Sequence, residues 1–171
     1  AEPASFNADA VSVTLRNAAL FIGVGGGLGN TANNTGTAAD RYEDDTVVNG
    51  TLGFGASVGL FRLVSLQNLG ADPAPTPAGA ADDVQYVGLE ITDLTATLLG
   101  LEGFLDFSVW DVAVSLNKAT HATTGAVAKL DWDSLTIDEA AGGIAQEDLR
   151  LNVDESLDLH AEGSAVFNAL G

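Results

Sequence analysis

The chain has no cysteine and no methionine among its 171 residues. Without Cys, disulfide staples, thiolate zinc sites and Cys nucleophiles are excluded. A chain with no oxidisable sulfur suits an exposed, extracellular setting. Aromatic residues make up only 6% against 46% hydrophobic, so the core is expected to be small and aliphatic, built from Ala, Val and Leu. Basic residues are scarce too: 6 Lys plus Arg against 24 Asp plus Glu, a formal charge of −18. That balance argues against nucleic acid and anionic membranes as partners, since both need basic footprints. It favours solubility in salt, or divalent cations held by some of the carboxylates. No apolar run approaches the roughly 18–20 residues of a membrane helix; the longest, Leu94 to Leu101, is broken by Thr95, Thr97 and Gly100, so no membrane insertion is expected.

What the chain does have is one kind of strand, restated. In FLDFSVWDVAVSLNK, Phe104 to Lys118, Phe107 and Val109 alternate with polar residues; Val112, Val114 and Leu116 alternate again, one residue out of phase. A shift of one residue flips a strand's side chains to the other face unless a bulge absorbs it. The segment is therefore two short strands, or one long strand bulged at Trp110-Asp111. The same pattern occurs at Val11-Val13-Leu15, polar Arg16-Asn17, Ala18-Leu20-Ile22, and at Leu89-Ile91, Thr92-Asp93, Leu94-Ala96-Leu98.

Residues 1–10 form a polar lead-in, with Ala1 expected to be a fragment or processed start and no signal-peptide pattern; residues 11–171 form a single β-rich domain. Long loops are expected at 25–50, which is rich in Gly, Asn, Thr and Asp, and at 71–83, which holds three of the four prolines. Leu52 to Leu66 alternates, with a shift near Phe61-Arg62, and Val127 to Trp132 reads as a short strand. Ser134 to Ile144 has room for one short helix ended by Gly142-Gly143. Leu149-Leu151-Val153, Leu157-Leu159-Ala161 and Ser164 to Leu170 return to strand. Many short strands and almost no helical period imply an all-β fold, an antiparallel sandwich or curled sheet with at most one short helix. An elongated β-solenoid-like repeat is the alternative.

No motif specifies a reaction. The glycine run GVGGGLG at 23–29 lacks the following helix and Lys-Ser/Thr of a phosphate loop. It partly matches the calcium-binding glycine-aspartate nonapeptide, but Thr31 stands where that motif needs Asp. The acidic clusters are the better calcium candidates: Asp40, Glu43, Asp44 and Asp45 in the first loop, and Asp131 with Asp133. Calcium takes six to eight hard oxygen ligands from such loops; the alternative is a solvated acidic surface. Asp82-Asp83 is a further pair. His121 and His160 lack triad or zinc spacing. Trp110 and Trp132 are expected in sheet packing, or, exposed as a pair, as a carbohydrate platform. A hydrolase would need dispersed carboxylates of the glycosidase kind.

The segments VTLRNAALFIGVGGGL, DVQYVGLEITDLTATLLGLEGFLDFSVWDVAVSLNKAT, KLDWDSL and LDLHAEGSAVFNALG resemble repeat units of giant secreted bacterial RTX-like or adhesin-like proteins. The resemblance spans Val11 to Gly171 and rests on strand alternation and the KLDW turn. It implies a non-enzymatic spacer, adhesin or filament role at the cell surface, with calcium common in such company. Neighbouring copies would join through the terminal strands, Val11–Val24 and Leu157–Leu170, whose edges otherwise stay unpaired. The alternative expectation is a calcium-dependent carbohydrate- or lipid-binding module.

Overall fold

A computed structural model of the chain describes residues 6–29, 45–68, 83–121, 123, 125, 127–138 and 144–169. Its elements are β1 (Ala8–Val24), β2 (Gly27–Gly29), β3 (Thr46–Val48), β4 (Leu52–Asn68), β5 (Val84–Leu99), β6 (Leu105–His121), one helical turn α1 (Gln146–Leu149) and β7 (Leu159–Ala169). The long strands form one antiparallel sheet in the order β1-β4-β5-β6-β7, not closed into a barrel. The fold is all-β, with one short helix among the described residues, and strands paired side by side in an antiparallel sheet do not form the coils of a solenoid.

Several local expectations shift. Strand β1 begins at Ala8, inside the expected lead-in. Within the expected 25–50 loop, β2 and β3 pair antiparallel, with Gly27 opposite Val48 and Gly29 opposite Thr46. Of the expected helix Ser134–Ile144, residues 134–138 are not helical and 139–143 lie outside the described residues. A helical turn is described at Gln146–Leu149, where Glu147 and Asp148 occupy the first turn, a placement that suits the positive helix N-terminus. Val127–Trp132 and Leu149–Val153 are not strands, Leu149 closing the helical turn; their alternating apolar residues serve a packing layer. The expected break before Ser164 is absent, because β7 runs on through Gly163, at φ 154°.

The polar pairs that interrupt the alternation are where the backbone turns left-handed. Asn17 has φ 50°, and Asp93 and Asp111 both have φ 53°. Bulges of this kind need a residue tolerant of positive φ, and Asn and Asp tolerate it best after Gly. β1, β5 and β6 each pass through such a residue and continue as strand. By contacts the chain divides into two compact units, one of Ala1–Leu15, Leu60–Thr92 and Ala113–Glu162, the other of Arg16–Gly59, Asp93–Val112 and Gly163–Gly171.

The first unit holds the core. Val64 and Leu66 of β4 and Val84 and Tyr86 of β5 are buried against Leu130, Trp132, Leu149, Leu151 and Val153. Residues 127–138 and 144–158 thus form a layer laid over one face of these strands. Gly88 makes room for it: a Cβ there would stand 2.8 Å from Trp132 Cε2 and closer still to Leu151 Cδ1. Polar bonds tie the layer down. Ser12 Oγ donates to the Asp148 carbonyl at 2.6 Å, buried Arg62 donates through Nη1 to the Arg150 carbonyl, and Trp132 N–H donates to the Val153 carbonyl at 2.9 Å.

In the second unit hydroxyls link neighbouring strands. Ser57 and Thr95 share a hydrogen bond of 2.7 Å between β4 and β5, and Thr97 and Ser108 one of 2.8 Å between β5 and β6. The Phe21 ring lies over Gly26 and Gly53, where side chains would collide with it, and Thr51 N–H closes onto the Val24 carbonyl at 3.0 Å.

Candidate functional site

The strand order places the first and last long strands at the two outer positions of the five-stranded sheet. Each has one neighbour, β4 for β1 and β6 for β7, so one row of backbone N–H and C=O groups on each has no strand beside it among the described residues. These edges carry few of the features that usually blunt an edge. β1 is 17 residues long with one acid and one base, Asp9 and Arg16, and β7 has His160 and Glu162; neither contains Pro or Lys. Every residue of β7 is exposed, Phe167 at 70% and Leu159 at 63%. On β1, Val11, Val13 and Leu15 point away from the core-facing Ala10, Ser12 and Thr14 and are 63%, 43% and 47% exposed.

Of the expected calcium ligands, Asp45, Asp131 and Asp133 are described. Asp40, Glu43 and Asp44 lie outside the described residues, as does Asp82. Asp45 stands just before β3, with Oδ1 shielded from solvent and accepting no hydrogen bond among the described residues. Asp131 shapes its own turn, accepting from Ser134 N–H at 3.2 Å and from Ser134 Oγ at 2.7 Å. Asp133 turns to Arg150, which donates from Nη2 to its carboxylate at 3.3 Å and to its carbonyl. Asp83 accepts from Gln67 at 3.3 Å. Among the described residues no three His, Asp or Glu side chains gather as a metal cage would require.

Asp154 and Glu102 have lowered pKa values for local reasons. The Ser156 hydroxyl and N–H, at 2.6 and 2.7 Å, hold the Asp154 carboxyl below its ordinary value. The Gly100 N–H, at 2.9 Å, does the same for Glu102. Both sets of hydrogen bonds are local and shape turns.

The histidines and tryptophans separate likewise. His121 closes a tight turn, paired with Gly125 and accepting at Nδ1 from Thr123 N–H at 3.2 Å. His160 lies on exposed β7, 3.9 Å from Glu162. Trp132 is fully buried and Trp110 is 41% exposed beside the Asp111 bulge, so the two do not form an exposed platform. Burial of Trp132 depends on a layer assembled from residues far apart in sequence, a signal that local pattern does not carry. No described helix is long and apolar enough to cross a membrane. Compared with known proteins, the chain matches no family model, no curated protein and no solved structure.

Proposed function

We propose that this chain is a non-enzymatic structural module, a unit of an extracellular bacterial surface fibre, filament or giant adhesin, joined to neighbouring copies or adjacent repeats through its terminal strands. The observation that carries this reading is the position of β1 and β7 at opposite edges of one sheet. With five strands alternating in direction, the first and last run the same way. Translating one copy along the sheet brings its β1 beside the β7 of its neighbour as a parallel pair, a contact that does not close on itself. Heterologous contacts that do not close generate filaments. The long, nearly uncharged edges supply the main-chain donors and acceptors, and the acidic remainder keeps copies soluble until they meet edge to edge.

The test is electron microscopy of the purified chain beside its Ala165→Lys variant, which puts a charge of the edge-blunting kind on β7. Filaments from the parent chain that disappear in the variant are the expected result. Dispersed particles from the parent chain at every concentration would defeat the reading.

A second reading, a calcium-dependent module that binds carbohydrate or lipid, is supported by the shielded, unpartnered Oδ1 of Asp45 in an acidic stretch. On that reading calcium raises the melting temperature, because a ligand of the native state alone stabilises it, and Asp45→Asn removes the increment.

A further inference from the structure

The strands of the first unit have two faces, and the layer of residues 127–138 and 144–158 covers one of them. Tyr86 and Gly88 point to that layer, so Val87, Leu89 and Ile91 of β5 point the other way. Arg62 and Val64 of β4 point to the layer, which sends Leu63 outward. Asn117 of β6 is buried beneath the layer, which sends Leu116 outward. Val13 and Leu15 of β1 join them. Among the described residues none of these outward side chains belongs to the core or packs against it, and the charged residues of the same phase, Asp9, Asp83 and Lys118, lie at the rim.

We propose that a second copy of this chain covers this aliphatic face, two such faces packing against each other across a two-fold axis. Three features favour a second copy over another occupant. Val13, Leu15 and Leu63 are exposed and Val87, Leu89, Ile91 and Leu116 half-buried, a face of roughly 300–500 Å², within what a monomer leaves uncovered, and two of them pressed together bury about 600–1,000 Å², the size of a weak, concentration-dependent interface. It is aliphatic and pleated, and such faces interdigitate with their own kind in aligned sheet packing. Finally, a chain of charge −18 meets its copy with least repulsion where neither carries charge. The joint is lateral, through faces, and separate from the edge-to-edge joint proposed above. It rests on that reading only in making the chain an assembling unit.

Sedimentation velocity on the full chain, from low to high protein concentration and in low and high NaCl, separates the two joints. The variants are Leu63→Lys, on an interior strand away from both edges, and Ala165→Lys, on the β7 edge. Leu63 is already 36% exposed, and circular dichroism with a melting curve checks that each variant folds; Val13→Lys, at a more exposed position, repeats the test on β1. The expected result is that Ala165→Lys, unable to join edge to edge, still forms a dimer that tightens with salt, and that adding Leu63→Lys or Val13→Lys to it weakens this dimer at least about tenfold, since each charge would be buried unpaired. Association that persists in folded Leu63→Lys and Val13→Lys but fails in Ala165→Lys overturns the face-to-face joint and leaves the edge joint standing. A parent chain that stays monomeric throughout overturns both.

Discussion

The indole N–H of Trp132 donates to Oδ1 of Asn117 at 3.0 Å, and both side chains are buried. Asn117 then spends its own amide on two carbonyls, those of Leu130 at 2.7 Å and Asp154 at 2.8 Å. A residue of β6 thereby holds three points of the covering layer. Replacing Asn117 with Leu leaves one donor and two acceptors unpaired in the interior, and an unsatisfied buried group costs about 1–3 kcal/mol. We expect Asn117→Leu to lower stability by about 3 kcal/mol in urea unfolding. An unchanged midpoint and slope would show that the network contributes little.

Gly88 is the position where strand and layer touch most closely. A methyl there meets Trp132 Cε2 at 2.8 Å, and Trp132, fixed at Asn117, has little freedom to retreat. Gly88→Ala is expected to cost about 1–3 kcal/mol, the usual range for overpacking a core. Gly103, where a Cβ would meet nothing within 4 Å, serves as the control, and Gly103→Ala should be near neutral. Equal effects at both sites would sink the packing argument.

The left-handed residues make a sharper contrast. Asp111, at φ 53°, should accept Gly with little change, whereas Val there should cost about 1–2 kcal/mol, the penalty of a β-branched residue in this region. The comparison of Asp111→Gly with Asp111→Val by thermal unfolding decides it. If Val is tolerated as well as Gly, the bulge is not held in that conformation in solution.

Acid stability follows from Asp154. Its carboxyl is held below the ordinary 3.8 chiefly by the Ser156 hydroxyl and N–H, with Lys129 adding a smaller attraction. A carboxyl whose pKa is lower in the folded than in the unfolded chain adds stability that is complete above its ordinary value. That stability is lost as pH falls through the folded value. Ser156→Ala should therefore weaken the chain near neutral pH, and the difference from the parent should shrink between about pH 5 and pH 2. Urea midpoints at several pH values measure it, and a difference that grows with acid would reverse the assignment.

The sequence alone determined the strands and the places where their phase breaks. Alternation at period two depends on neighbouring residues only, and the polar pairs Arg16-Asn17, Thr92-Asp93 and Trp110-Asp111 mark the breaks because Asn and Asp are the residues that accept the left-handed backbone found there. Tertiary structure decided what local pattern cannot carry. Trp110 and Trp132 look alike in sequence, yet one lies half-exposed beside a bulge while the other is sealed between the covering layer it belongs to and the strands beneath. Val127–Trp132 and Leu151–Val153 alternate as strands do, but their backbones pack over a sheet instead of pairing within one. Strand order, and with it the placing of β1 and β7 at the two edges, comes from which strands bury surface together. Which of two aliphatic faces the layer covers was settled at Gly88, where the absence of a side chain admits Trp132 and Leu151.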